Sequence, residues 1–181
     1  MSGKTGLGYT ETLLENLDRE IAWGGTTSFV GAKRVVTSLT AATKTVTAAE
    51  TGTIFTLNKA DGIVVTLPAA TAGLEYEFYV ETALTSNAYT VNAASSADTL
   101  TGYILSWDIA DLGSATLLNE NVATIGFSVP AAGDHQLVTN KTTTGGLAGS
   151  HWVYTCITDA LWSVTGYNVV SSGATIATPF T

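Results

Sequence analysis

Charge is scarce in this chain. Only 12% of its 181 residues are Asp, Glu, Lys or Arg, about half of the roughly 25% common in globular domains, and Thr, Ser, Ala and Gly fill the difference. A surface that is polar without being charged suits rigid β proteins that work outside the cytosol or inside large assemblies. The charge that is present is acidic, with a net value of -8 at pH 7, which argues against nucleic acid or an anionic membrane as the main partner. Cysteine occurs once, at Cys156, so no intrachain disulfide can form and the fold must stand on packing or on association. Its setting, Trp152-Val153-Tyr154-Thr155-Cys156-Ile157, is strand-like and predicts a buried, unreactive thiol. No apolar run approaches the ~20 residues needed to span a bilayer, and the first residues lack the apolar core of a signal peptide. The expectation is a protein made in the cytosol that leaves a cell by lysis or inside a particle.

Catalytic signals are equally sparse. Gly3-Lys4-Thr5-Gly6 is like the end of a phosphate-binding loop, but the upstream Gly, the preceding strand and the following helix are missing. His135 beside Asp134 and His151 beside Ser150 do not make a hydrolase triad, because there is no G-x-S-x-G and neighbours in a strand point to opposite faces. Two His and one Cys at wide intervals lack zinc-site spacing. Asp108 and Asp111, with Glu120 or Asp98 near them in sequence, could ring a calcium ion, though solvated carboxylates are the better reading. The expectation is no enzyme, no metal and no cofactor.

What the chain does have is strands. Thr53-Ile54-Phe55-Thr56-Leu57 runs through Asn58-Lys59-Ala60-Asp61-Gly62 into Ile63-Val64-Val65-Thr66-Leu67, and Pro68 stops it; this reads as strand, Gly-containing turn, strand. After a loop, Leu74, Tyr76, Phe78 and Val80 share one face while Glu75, Glu77, Tyr79 and Glu81 share the other, the pattern of an antiparallel strand dry on one side. A lone meander is not stable in water, so later segments must supply a second layer. These are Tyr89-Thr90-Val91, residues 100–105, 115–118 and 122–129, Gln136-Leu137-Val138, and a closing pair at 152–157 and 161–164. Within 122–129, Ala123, Ile125, Phe127 and Val129 alternate with Val122, Thr124, Gly126 and Ser128. Residues 141–146 read as the most flexible loop. The predicted fold is all-β, an antiparallel β-sandwich or barrel of jelly-roll or tulip-like form over residues 46–181.

The front end differs. Leu13, Leu14, Leu17 and Ile21 lie on one helical face and Gly24-Gly25 follows, which predicts one short α-helix over about 10–23 inside an N-terminal arm of residues 1–45. About three turns cannot persist alone and need a surface for Leu13, Leu17 and Trp23. Residues 1–44 carry five cations against four carboxylates, while residues 45–181 carry two against eleven. Arm and body therefore offer different surfaces to a partner.

Three stretches, in order, carry a resemblance. The first joins Val46-Thr47-Ala48-Ala49-Glu50-Thr51-Gly52-Thr53-Ile54-Phe55-Thr56-Leu57 with Gly62-Ile63-Val64-Val65-Thr66-Leu67-Pro68-Ala69-Ala70 and Ala72-Gly73-Leu74-Glu75-Tyr76-Glu77-Phe78. The second is Thr85-Ser86-Asn87-Ala88-Tyr89-Thr90-Val91. The third is Gly149-Ser150-His151-Trp152 with Leu161-Trp162-Ser163-Val164-Thr165-Gly166-Tyr167 and Ala177-Thr178-Pro179-Phe180. Together they resemble the decoration, or cement, proteins of tailed bacteriophage heads, through a pattern of strands, Gly and Pro over most of residues 46–180. The resemblance implies a β-rich virion protein, often a homotrimer, that binds the outside of the expanded capsid and bridges major capsid proteins without an active site. On that expectation Leu13, Leu17, Ile21 and Trp23 are the arm's anchoring face, on capsid or on a neighbouring subunit, and Lys33 and Arg34 meet capsid carboxylates. The alternative is a carbohydrate- or receptor-binding β module, in which Trp107, Trp152, Trp162, Tyr103 and Tyr154 form a sugar-stacking platform. Against it, Trp152 and Trp162 fall on facing strands of one hairpin, where core or interface positions are expected.

Overall fold

The computed structural model describes residues 33–109, 125–171 and 175–181. The helix expected at 10–23, its residues Leu13, Leu17, Ile21 and Trp23, and the strand expected at 115–118 lie outside the described residues. The chain divides after Lys33, and the unit from Arg34 to Thr181 is the β body. Its strands begin before residue 46, with β1 (Val36–Leu39) and β2 (Thr43–Thr45). There follow β3 (Ile54–Leu57), β4 (Ile63–Thr66), β5 (Glu75–Val80), β6 (Tyr89–Asn92) and β7 (Thr99–Asp108). The remainder are β8 (Ile125–Ser128), β9 (Gln136–Val138), β10 (His151–Thr158) and β11 (Leu161–Val170).

The body is all-β, but it is not the antiparallel meander the turn residues suggested. Its two sheets are mixed: a large one in the order β1-β3-β5-β10-β11-β7-β8 and a small one in the order β2-β4-β6-β9. From β1 to β6 the chain alternates between sheets, so that β1, β3 and β5 pair in parallel in one and β2, β4 and β6 pair in parallel in the other. Thus β3 and β4 are not a hairpin. The segment between them is a corner from sheet to sheet, in which the Gly62 N–H bonds Lys59 O at 2.9 Å and the Ile63 N–H bonds Ala88 O at 3.1 Å. A buried Tyr89 hydroxyl lies at this corner within 2.6 Å of Thr82 O and 2.9 Å of Lys59 O. A two-residue hairpin turn and a five-residue corner draw on the same Asn, Asp and Gly chemistry; the partner is chosen by the distant strands.

Antiparallel pairing appears where β10 and β11 form the expected closing hairpin, with β10 laid against β5. The hairpin separates β5 from β7, so β7 pairs with β11 in parallel. One apolar cluster draws on both sheets, joining Phe55, Leu57, Tyr76, Phe78, Trp152, Tyr154, Trp162 and Val164 of the large sheet to Ile63, Val65, Tyr89, Val91 and Leu137 of the small one. Cys156 is buried as expected, and burial pushes its thiol above the ordinary value. Residues 141–146 are fastened, contrary to expectation: Asn140 Oδ1 accepts the backbone N–H groups of Thr142, Thr143 and Thr144 at 3.1, 2.8 and 3.0 Å. Asn168 also holds this loop, donating to Thr144 O at 3.0 Å while accepting from Trp152 Nε1 at 2.7 Å.

Two glycines separate backbone conformation from crowding. Gly52 and Gly62 have φ of +80° and +89°, yet a Cβ at Gly52 meets nothing within 4 Å whereas one at Gly62 falls 2.2 Å from Ala88 O. Gly52→Ala should cost about 1–2 kcal/mol for the left-handed residue alone. Gly62→Ala should cost about 3 kcal/mol or more, because a carbonyl cannot move aside cheaply. Urea unfolding of both variants checks the difference, and equal losses would contradict the corner as described.

Candidate interaction face

Strand alternation sets what the large sheet turns outward. On β5 the wet face is the expected one: Tyr76, Phe78 and Val80 are buried while Glu75, Glu77 and Tyr79 face out. Farther along the sheet the pattern inverts. On β7, Leu100, Ile104, Ser106 and Asp108 are buried and Tyr103 and Trp107 are exposed. On β8, Ser128 is buried while Ile125 and Phe127 are exposed, and Val129 just beyond is exposed too. Half or more of Ile125 (63%), Phe127 (66%) and Val129 (56%) meets solvent. Register places Leu105 opposite Phe127 and Trp107 opposite Ile125, so these side chains form one patch with Tyr103, whose ring stacks on Phe127 at 5.5 Å.

Rings continue the patch across the sheet. Trp107 of β7 stacks on Tyr167 of β11 at 6.0 Å, Tyr167 meets His151 of β10 at 5.6 Å, and His151 meets Tyr79 of β5 at 5.0 Å. Such cross-strand neighbours stabilise a sheet in their own right. The Tyr79 and Tyr167 hydroxyls are 3.3 Å apart, and that contact pushes the Tyr167 phenol above its ordinary value, with burial adding to it.

The row ends in a polar cluster. Glu77 receives His151 Nε2 on one oxygen at 2.7 Å and the Arg34 guanidinium on the other, while Arg34 Nε donates to Gly52 O at 2.9 Å. Burial disfavours the Glu77 carboxylate, but the bonds from His151 and Arg34 outweigh it and hold the group below the usual carboxyl range.

Of the residues singled out from sequence, Lys33 is exposed at the first described position, just ahead of the body, and Arg34 is engaged within its own chain. Trp152, Trp162 and Tyr154 are fully buried, whereas Trp107 and Tyr103 are half exposed on one face. Tyr79, Phe127 and Ile125 complete that face and were not singled out; the signal was the inverted alternation of β7 and β8. Asp98 and Asp108 are buried at opposite ends of the β7 segment, while Asp111 and Glu120 lie outside the described residues. Among the described residues, no three His, Cys, Asp or Glu side chains gather as a metal site would require. No protein-family model, curated protein or solved structure matches the chain.

Because the folded pKa of Glu77 lies below its unfolded value, it adds stability that is fully present above about pH 4.5 and is lost as pH falls through the folded value. The melting temperature of the protein should therefore drop more steeply between about pH 5 and 3 than that of Glu77→Gln. Thermal melts across that range check it, and parallel profiles would show that the cluster contributes nothing.

Proposed function

We propose that this chain is a virion structural protein that decorates a tailed-phage head, binding its outer surface and stabilising the expanded capsid by bridging neighbouring major capsid proteins. The observation that carries this reading is the apolar outer face of β7 and β8, joined to the resemblance borne by β3, β4, β5, β6, β10 and β11. A protein that works alone in water rarely leaves six large apolar side chains, here Tyr103, Trp107, Ile109, Ile125, Phe127 and Val129, open on one body. One that works packed among neighbours has cover for them. We read the two sheets around their common core as a sandwich, a stiff spacer for such contacts.

The mechanism is passive. Contacts made only in the expanded head lower the free energy of that state by mass action, without turnover. Leu13, Leu17, Ile21 and Trp23 serve as the anchoring face of the leading arm, with Lys33 beside a capsid carboxylate. Arg34 acts as the fixed root of the arm through Glu77. The homotrimer implied by the resemblance belongs to the same proposal, as does a place on the outer capsid surface after synthesis in the host cytoplasm; nucleic acid, membrane and cofactor have no part in it.

One observation favours a carbohydrate-binding module instead: Tyr79, Tyr103, Trp107 and Phe127 are all exposed on described strands of one sheet. Sugars, however, stack on open ring faces. Trp107 lies within 17° of parallel to Tyr167, and Tyr103 within 24° of Phe127, so each of these rings already covers a face of its neighbour.

Deleting residues 1–25 should leave the body folded, with an unchanged far-UV spectrum, and abolish co-sedimentation with empty expanded heads of the encoding phage. Undiminished binding would refute the arm assignment. Saturable binding to a glycan array, lost in Trp107→Ala, would favour the carbohydrate reading.

A further inference from the structure

Four adjacent strands of the large sheet turn no Asp, Glu, Lys or Arg outward. Their outward residues are His151, Val153, Thr155 and Ile157 on β10, Leu161, Ser163, Thr165, Tyr167 and Val169 on β11, Thr99, Thr101, Tyr103, Leu105 and Trp107 on β7, and Ile125 and Phe127 on β8. Elsewhere the body is acidic: from Arg34 onward, four cations face eleven carboxylates. We propose that this charge-free face is where a second copy of the chain docks, with Trp107, Ile125 and Phe127 at the centre of the contact. The inference rests on the reading above in taking the chain to associate with its own copies, and it names the face and the residues through which they meet.

Three features favour a second copy over another occupant. The first is charge. Two bodies that each carry an excess of seven carboxylates repel at long range, and the face formed by β10, β11, β7 and β8 lets them meet without placing carboxylate against carboxylate. A basic partner would instead be drawn to the carboxylate-bearing corners and to β5.

The second is area. Three aromatic rings at about half exposure, each worth roughly 200 Å², supply about 300 Å² before Ile109, Ile125 and Val129 are added. The total reaches the upper range of the largest patches on monomers, about 300–600 Å², and forms the apolar centre of a standard interface of about 800 Å² per partner, which the Thr and Ser of β7 and β11 would rim.

The third is the edge. Among the described residues, β8 pairs only with β7. It carries no Lys, Pro or inward charge to blunt that edge, and a docked copy would cover it.

The test is the mass of the full chain in solution, by light scattering coupled to size exclusion at tens of micromolar. The wild type should run as a multiple of the 18.7 kDa monomer. The Ile125→Glu, Phe127→Glu double variant, altered only at exposed positions, should run as a folded monomer, its self-association weakened at least about a hundredfold. Val64→Glu, on the small sheet, should stay multimeric. A monomeric wild type, or a double variant that remains multimeric, overturns the proposal. Co-sedimentation with the encoding phage's heads, run in parallel, separates this from the functional reading. A multimer that ignores heads leaves self-docking standing and removes decoration. A monomeric wild type whose head binding is lost in the double variant gives the face to a capsid protein and removes self-docking.

Discussion

The structure depends on a single apolar cluster to which both sheets contribute. The small sheet has four strands and the large one seven, and the aromatic side chains of β5, β10 and β11 are among the largest fully buried members of the cluster. Tyr76 meets Trp162 at 5.9 Å, and Phe78 meets Phe55 and Tyr154 at 5.5 and 5.7 Å. Rings of this size bury on the order of 150–250 Å² each, enough to hold a disulfide-free chain of this length together. The last residues assist, since Phe180 is buried and bridges Leu137, and Thr181 O accepts the N–H groups of His135 and Gln136.

The two strands at this side of the large sheet, β7 and β8, differ in what they bury. On β8 the inward positions are only Gly126 and Ser128, and Ile176 packs where a Cβ at Gly126 would stand, while β7 buries Leu100 and Ile104 beside Gly102, Ser106 and Asp108. The bulky Tyr103, Trp107, Ile125 and Phe127 of the same strands turn out. An apolar-out, polar-in strand stabilises a body only when something else covers it, and this links the packing of the core to the proposal that the protein acts through contact. On the middle strands of the large sheet, Glu77 of β5 takes hydrogen bonds from both Arg34, at the start of the compact unit, and His151 of β10.

From β3 onward, strand positions were readable from residue patterns; β1 and β2, inside the stretch read as an arm, and the pairing of the strands were not. Alternation over 74–81 located β5 and its dry face, and the tryptophans of 152–164 located the β10–β11 hairpin and its core. The corner at 58–62 shows the limit: its Asn, Asp and Gly specify a reversal, but whether the next strand returns beside the last or crosses to another sheet is settled by Tyr89 and Leu57, dozens of residues apart. β7 misled for a related reason. Local alternation gives two faces and says nothing about which is covered, so Trp107 and Phe127 became legible as surface only once the exposure of each face was known. Of the aromatics considered as a platform, Trp107 and Tyr103 were placed by that same inversion, and Trp152, Tyr154 and Trp162 by ordinary core packing.

The central proposal is that a second copy of the chain covers the outer face of β7 and β8. Hydroxyl-radical footprinting of the full chain over a wide concentration range reads this at single side chains. The account predicts that labelling of Trp107, Tyr103 and Phe127 falls as concentration rises while that of Val64, on the small sheet, stays constant. Labelling of those three rings that does not change with concentration would contradict it.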